Sequence, residues 1–272
     1  MKKNVKGGVP MPRHLYIMLS RTDTGMGRLI RFFTKETYNH VSLCLDDRLD
    51  HFVSFARFRQ DVPLAGGYVA EPPERLLSCG KTMPVRIFKL DISPKDAEEL
   101  EAIFALAGHS PLTYNTLGAL LHGCHIPCRI PGSYTCLEFA GAILGRTFPS
   151  IQALADTLEP LECYRGDLFD LLENSGKQDD PYFQKRGVWK GALDTGIHFK
   201  TLLFRLLRLE RPSEMCIQRF AGLFCHGLYH RKTVGDIWDK HSIHNVEVEP
   251  VCRPFIYKFN ILVKLSEICR QH

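Results

Sequence analysis

Two side chains in this sequence are best placed for covalent chemistry: a cysteine that opens a helix and a histidine that opens a strand. Cys136 follows a loop over residues 122–133 (HGCHIPCRIPGS), marked as such by Pro127, Pro131 and Gly132, and it begins the helical stretch 135–144 (TCLEFAGAIL). A thiol in the first turn of a helix faces unpaired backbone N–H groups and the positive end of the helix dipole, and both favour thiolate over thiol. His40 heads the alternating run 40–45 (HVSLCL). If tertiary packing brings the imidazole to the helix terminus, it can act as base for the thiol, with a third group orienting it. The chemistry is then acyl transfer to sulfur. Against this stands the commoner fate of each residue alone, a packed thiol or a satisfied sheet histidine, in a chain of ten cysteines.

The elements that must position this pair follow from the pattern of apolar residues. Residues 15–19 suit a buried strand, and 26–33 (MGRLIRFF) place Leu29, Ile30 and Phe33 on one helical side against Arg28 and Arg31. The runs 40–45 and 51–58, separated by Asp46, Asp47 and Arg48, predict a β-hairpin. Tyr68-Val69 after Gly66-Gly67, and residues 83–90 (MPVRIFKL), supply further strands. Ser93 as cap and Pro94 at the first helical position start a helix that runs to Gly108. Shorter helices are predicted over 114–121, 150–158 and 167–172. The polar stretch 173–182 (ENSGKQDDPY) is the best candidate for a domain boundary, so residues 1–175 form one domain and 176–272 a mainly helical extension. The fold class is α+β, an antiparallel sheet packed against helices.

Tyr38-Asn39-His40-Val41-Ser42, followed much later by Ser133-Tyr134-Thr135-Cys136-Leu137-Glu138-Phe139, resembles the circularly permuted papain-like hydrolases of the NlpC-type superfamily. Bacterial permuted amidases are the nearest likeness and lecithin retinol acyltransferase a distant one. In that branch a histidine on an early strand precedes the cysteine helix, the order found here, and the likeness spans about residues 14–172. It implies a cysteine hydrolase acting on a peptide or N-acyl amide through a thioacyl-enzyme, with lipid or small-molecule acyl transfer as the alternative. It also implies a polar residue on the next strand to orient His40. His51 is the first choice and Ser54 the second, and one residue of register reverses that order. The backbone N–H of Cys136 is the expected oxyanion donor, beside a second donor that the sequence does not name. A rival from another class is a non-catalytic binding module that keeps the fold.

Composition limits the remaining classes. With 272 residues and 44% hydrophobic content, the chain can bury an ordinary core, and a net charge of +5 is too slight to argue for nucleic acid. The apolar run near the N-terminus is too short for a secretory or membrane-spanning segment, and a cytoplasmic location is expected. His122, Cys124, His125 and Cys128 are ligand types without a standard zinc spacing, and Cys225, His226 and His230 are more often core and surface, so neither metal nor cofactor is expected. The basic, leucine-rich helix over 196–209 could rest on an acidic membrane surface, although such helices more often pack on their own protein.

Overall fold

The computed structural model describes residues 13–207, apart from 63, 78–81, 123–125, 127 and 173–179. Its centre is an eight-stranded, mostly antiparallel sheet: β1 (Arg13–Ser20), β2 (His40–Cys44), β3 (Phe52–Arg57), β4 (Gly66–Glu71), β5 (Pro84–Ile92), β6 (Thr113–Tyr114), β7 (Ser133–Tyr134) and β8 (Glu162–Asp167). The spatial order is β7-β6-β4-β3-β2-β1-β5-β8. The short β6 and β7 form its parallel pair, through Thr113 with Ser133 and Tyr114 with Tyr134. The helices are α1 (Gly25–Thr34), α2 (Pro73–Leu77), α3 (Pro94–His109), α4 (Thr116–His122), α5 (Cys136–Leu144), α6 (Ile151–Leu158) and α7 (Val188–Leu206). The chain is therefore α+β in class, as its sequence pattern implies.

Strand alternation sends side chains to two faces, and each face has its own core. On one, Leu15, Ile17 and Leu19 of β1 join Val41 and Leu43 of β2 and Phe55 of β3 under α3, α5 and α6. Phe139 of α5 lies at the middle of this layer, its ring centroid 5.0 Å from that of Phe55. Burying such a side chain contributes about 2–3 kcal/mol. On the other face, Met18, Cys44, Phe52 and Ile87 pack with Leu76 and Leu77 of α2 and with Leu168. The apolar side of α5 thus fixes its N-terminus over β2 and β3.

One expectation from sequence is corrected. In place of a helix over 167–172, β8 runs to Asp167 and is followed by a single 3-10 turn over Leu168–Asp170, with Asp167 accepting a hydrogen bond from the Phe169 N–H at 3.1 Å. β8 is an edge strand with no buried residue and mostly polar side chains, so it carries little apolar alternation to read. Beyond the expected 175/176 boundary, α7 docks on the domain. His198 Nε2 meets Thr116 Oγ1 at 3.1 Å, and Arg205 reaches the β6–β7 edge. Helix α7 also begins eight residues earlier than the basic leucine-rich pattern implies, and residues 208–209 of that pattern lie outside the described residues. Among the described residues no helix is long and apolar enough to cross a membrane.

Candidate active site

Cys136 is the first residue of α5, and the sequence around it specifies a firm helix start. Thr135 Oγ1 accepts from the Glu138 N–H at 3.1 Å, and Glu138 Oε2 accepts from the Thr135 N–H at 2.7 Å, a reciprocal capping box. Asn115 ties this start to its surroundings. Its N–H donates to Tyr134 O at 2.9 Å, its Nδ2 donates to Cys128 O at 2.7 Å, and its Oδ1 accepts from the Gly118 N–H at 2.8 Å. Gly118 is required by this close approach, because a Cβ there would lie 2.4 Å from Asn115 Nδ2. Thr135→Ala is expected to cost about 1 kcal/mol, read as a small fall in melting temperature that Thr135→Ser avoids.

His40 opens β2 opposite Ser20 of β1. Its neighbour Asn39 is buried and locked to the preceding loop, accepting from the Thr22 N–H at 2.8 Å and donating to Thr22 Oγ1 at 2.9 Å. That anchorage holds the histidine in place. Nε2 lies 3.0 Å from both carboxylate oxygens of Glu71, the last residue of β4, and Glu71 also accepts from Ser42 Oγ at 2.6 Å. The Cys136 thiol lies within electrostatic reach of the same imidazole. With Nε2 held by Glu71, Nδ1 is the ring nitrogen left for sulfur. Cys136, His40 and Glu71 are thus grouped at one buried place, with Cys136 only 7% exposed and Glu71 4%.

Electrostatics reinforce the geometry. Burial opposes a charge on His40, but the Glu71 carboxylate and the nearby Cys136 outweigh it, and the imidazole is pushed up to about 10. Burial likewise opposes the Glu71 charge, yet the facing imidazole, Arg75 and the Ser42 hydroxyl bring its carboxyl down to about 2. Both shifts describe one buried ion pair. Among the other described cysteines, burial pushes Cys44 up to about 11 and raises Cys128 and Cys163.

The expected orienting residues are corrected. His51 stays in the turn, its side chain 75% exposed and its Nδ1 3.2 Å from Asp46 Oδ2. The loop between β2 and β3 is longer than a tight hairpin, so β3 starts only at Phe52. Ser54 is buried opposite Val69, with no hydrogen-bond partner for its hydroxyl among the described residues. The residue that meets His40 is Glu71, one strand further on. Its signal was legible in principle: residues 67, 69 and 71 share one face of β4, and a carboxylate at an inward position demands a partner.

A cavity of about 80 Å³ adjoins His40, lined also by Glu71, Arg57, Arg75, Tyr114 and Tyr182. Tyr114 is buried within electrostatic reach of Cys136 and Arg57, and burial first, then the cysteine, drives its hydroxyl well above its ordinary value. Tyr182 comes from beyond the sequence-derived domain boundary. Among the described residues no group of three or more His, Cys, Asp or Glu side chains is arranged to hold a metal ion. Cys124 and His125 of the first ligand set, and Cys225, His226 and His230 of the second, lie outside the described residues. Comparison with protein-family models, with curated proteins and with solved structures found no match to this chain.

Proposed function

We propose that this chain is a cysteine-dependent amide hydrolase with a permuted papain-like site, in which Cys136 is the nucleophile, His40 the acid–base and Glu71 the residue that orients it. The observation that carries the reading is His40, held at 3.0 Å by the buried Glu71 carboxylate and within electrostatic reach of the Cys136 thiol at the start of α5. As imidazolium, His40 holds the proton given up by the thiol, and the Cys136 thiolate attacks the amide carbonyl. The tetrahedral oxyanion meets the unpaired Cys136 N–H at the start of α5. Collapse breaks the C–N bond, and His40 gives its proton to the departing amine. Water then attacks the thioester, losing a proton to His40, and the acid leaves as the thiol is restored.

The size of the cavity favours this over long-chain acyl transfer. About 80 Å³ lies well below the roughly 300–1,000 Å³ of usual ligand pockets. The apolar groove on α7, about 230 Å³ and walled by Leu117, Phe199 and Leu203, shares no residue with it.

Iodoacetamide alkylation, followed residue by residue across pH 5–8, tests the reading. At pH 6 Cys136 is expected to react about 10²-fold faster than the exposed Cys163, an advantage absent in His40→Ala. Equal rates at Cys136 and Cys163 would rule the activated pair out, and the chain would then be treated as a binding scaffold. Trapping a thioester on Cys136 with amide substrates, and separately with acyl-lipid donors, distinguishes hydrolysis of amides from acyl transfer.

A further inference from the structure

Resting on the amide-hydrolase reading, we infer that the cavity beside His40 is a subsite for a small oxyanion on the substrate, a carboxylate or a phosphate, received by Arg57. Two guanidinium groups, Arg57 and Arg75, line this small space, and Glu71 is the one carboxylate among the described lining residues. Glu71 is already engaged by His40 Nε2 and Ser42 Oγ. Arg57 has no carboxylate partner among the described residues; its Nη2 donates to Tyr182 Oη at 3.0 Å, leaving its other donors unengaged.

The arrangement is built rather than incidental. Arg75 is buried, donates through Nη2 to Arg57 O at 2.6 Å and stacks on the Tyr182 ring at 4.3 Å. Tyr182 is itself buried and held by Asp180 Oδ1, which accepts its N–H at 2.7 Å, and by its carbonyl, which accepts from the Gln60 N–H at 2.9 Å. The Tyr182 ring, on which Arg75 stacks, and its hydroxyl, which accepts from Arg57, hold the two guanidinium groups around one side chain. Arg75 already faces the Glu71 carboxylate, so the half-buried Arg57 is the cation left to receive an anion, and its partial removal from water strengthens that attraction. A guanidinium presents paired N–H donors that match the oxygens of a carboxylate or a phosphate. Since His40 lines the same cavity, the oxyanion would lie close to the scissile amide, which specifies a substrate acidic near the bond cleaved.

Binding of succinate and of inorganic phosphate, each measured at constant ionic strength by calorimetry with succinamide as the neutral control, tests the subsite without requiring turnover. Saturable binding of at least one anion, none of succinamide, and affinity at least about tenfold weaker in Arg57→Gln are expected, with Arg57→Lys retaining more than Arg57→Gln. Tyr182→Phe, which keeps the ring and removes the hydroxyl that holds Arg57, is expected to fall between. A preference for succinate assigns a carboxylate-bearing substrate, and a preference for phosphate a phosphorylated one. No saturable binding of either anion, or equal affinity in folded Arg57→Gln, overturns the subsite. If the wild type binds the anion through Arg57 while Cys136 shows no enhanced alkylation, the subsite stands and the hydrolase reading falls.

Discussion

Glu71→Gln is expected to slow alkylation of Cys136 about 30-fold near pH 6 and to destabilise the protein by about 2 kcal/mol. Both effects have one cause. The carboxylate lies 3.0 Å from His40 Nε2 and accepts the Ser42 hydroxyl at 2.6 Å, so it stabilises the imidazolium that forms when sulfur gives up its proton. Glutamine keeps the shape but loses the charge, and the buried imidazole then resists protonation. The stability difference between wild type and variant has a defined pH profile. The carboxyl is lowered from its ordinary 4.5 to about 2, so its contribution is complete above pH 4.5 and is lost as pH falls toward 2. The imidazole is raised from 6.5 to about 10, so the contribution is complete below pH 6.5 and is lost as pH rises through 10. Wild type should therefore exceed Glu71→Gln most between pH 4.5 and 6.5, with the gap closing on both sides. Thermal melts across pH 3–10 check this, and a gap independent of pH would exclude the buried ion pair.

The parts of this site visible in sequence are those set by local rules. Thr135 with Glu138 announces a helix start through spacing alone, and an apolar residue at every second position from Val41 onward announces a strand that His40 begins. The order of histidine and cysteine needed no structure. What was hidden depended on register and on distant segments. Glu71 could be assigned to His40 only once the long β2–β3 loop and the pairing of Phe52 with Glu71 were known. Asn115 works through bonds to residues 128 and 134, and a lone Asn before a short helix otherwise reads as an ordinary cap. Tyr182 lies in a segment whose Asp and Pro content reads as linker, yet its ring and carbonyl are part of the packed structure. Polar composition marks where a chain turns and does not reveal whether the turn is anchored.

That anchorage gives α7 a consequence for Cys136, and Arg205→Ala is expected to expose it. Arg205 is 5% exposed and donates through Nη1 to Thr113 Oγ1 at 2.8 Å and Gly132 O at 2.9 Å, and through Nη2 to Pro111 O at 2.7 Å. Thr113 Oγ1 is in turn 2.7 Å from Ser133 Oγ on the parallel neighbour β7, which leads through Thr135 into Cys136. One guanidinium therefore closes the loop before the nucleophile against the sheet edge. Removing it forfeits several charge-assisted hydrogen bonds of roughly 1.5–3 kcal/mol each, offset where the freed carbonyls regain water, for a net loss of about 3 kcal/mol. At about 2–4 °C per kcal/mol for a domain of this size, the melting temperature should fall by roughly 6–12 °C. Arg205→Lys should restore little of it, because a single ammonium cannot reproduce the planar fork that spans three acceptors. Hydrogen exchange over residues 131–136 should quicken in Arg205→Ala, and Cys136 alkylation should lose part of its advantage over Cys163 as the helix start loosens. Were α7 part of a separately folding extension, the variant would leave both the exchange of residues 131–136 and the reactivity of Cys136 as they are in the wild type. The prediction therefore decides whether the segment beyond 175 supports the helix start at Cys136, and these hydrogen bonds of Arg205 are the physical reason to expect that it does.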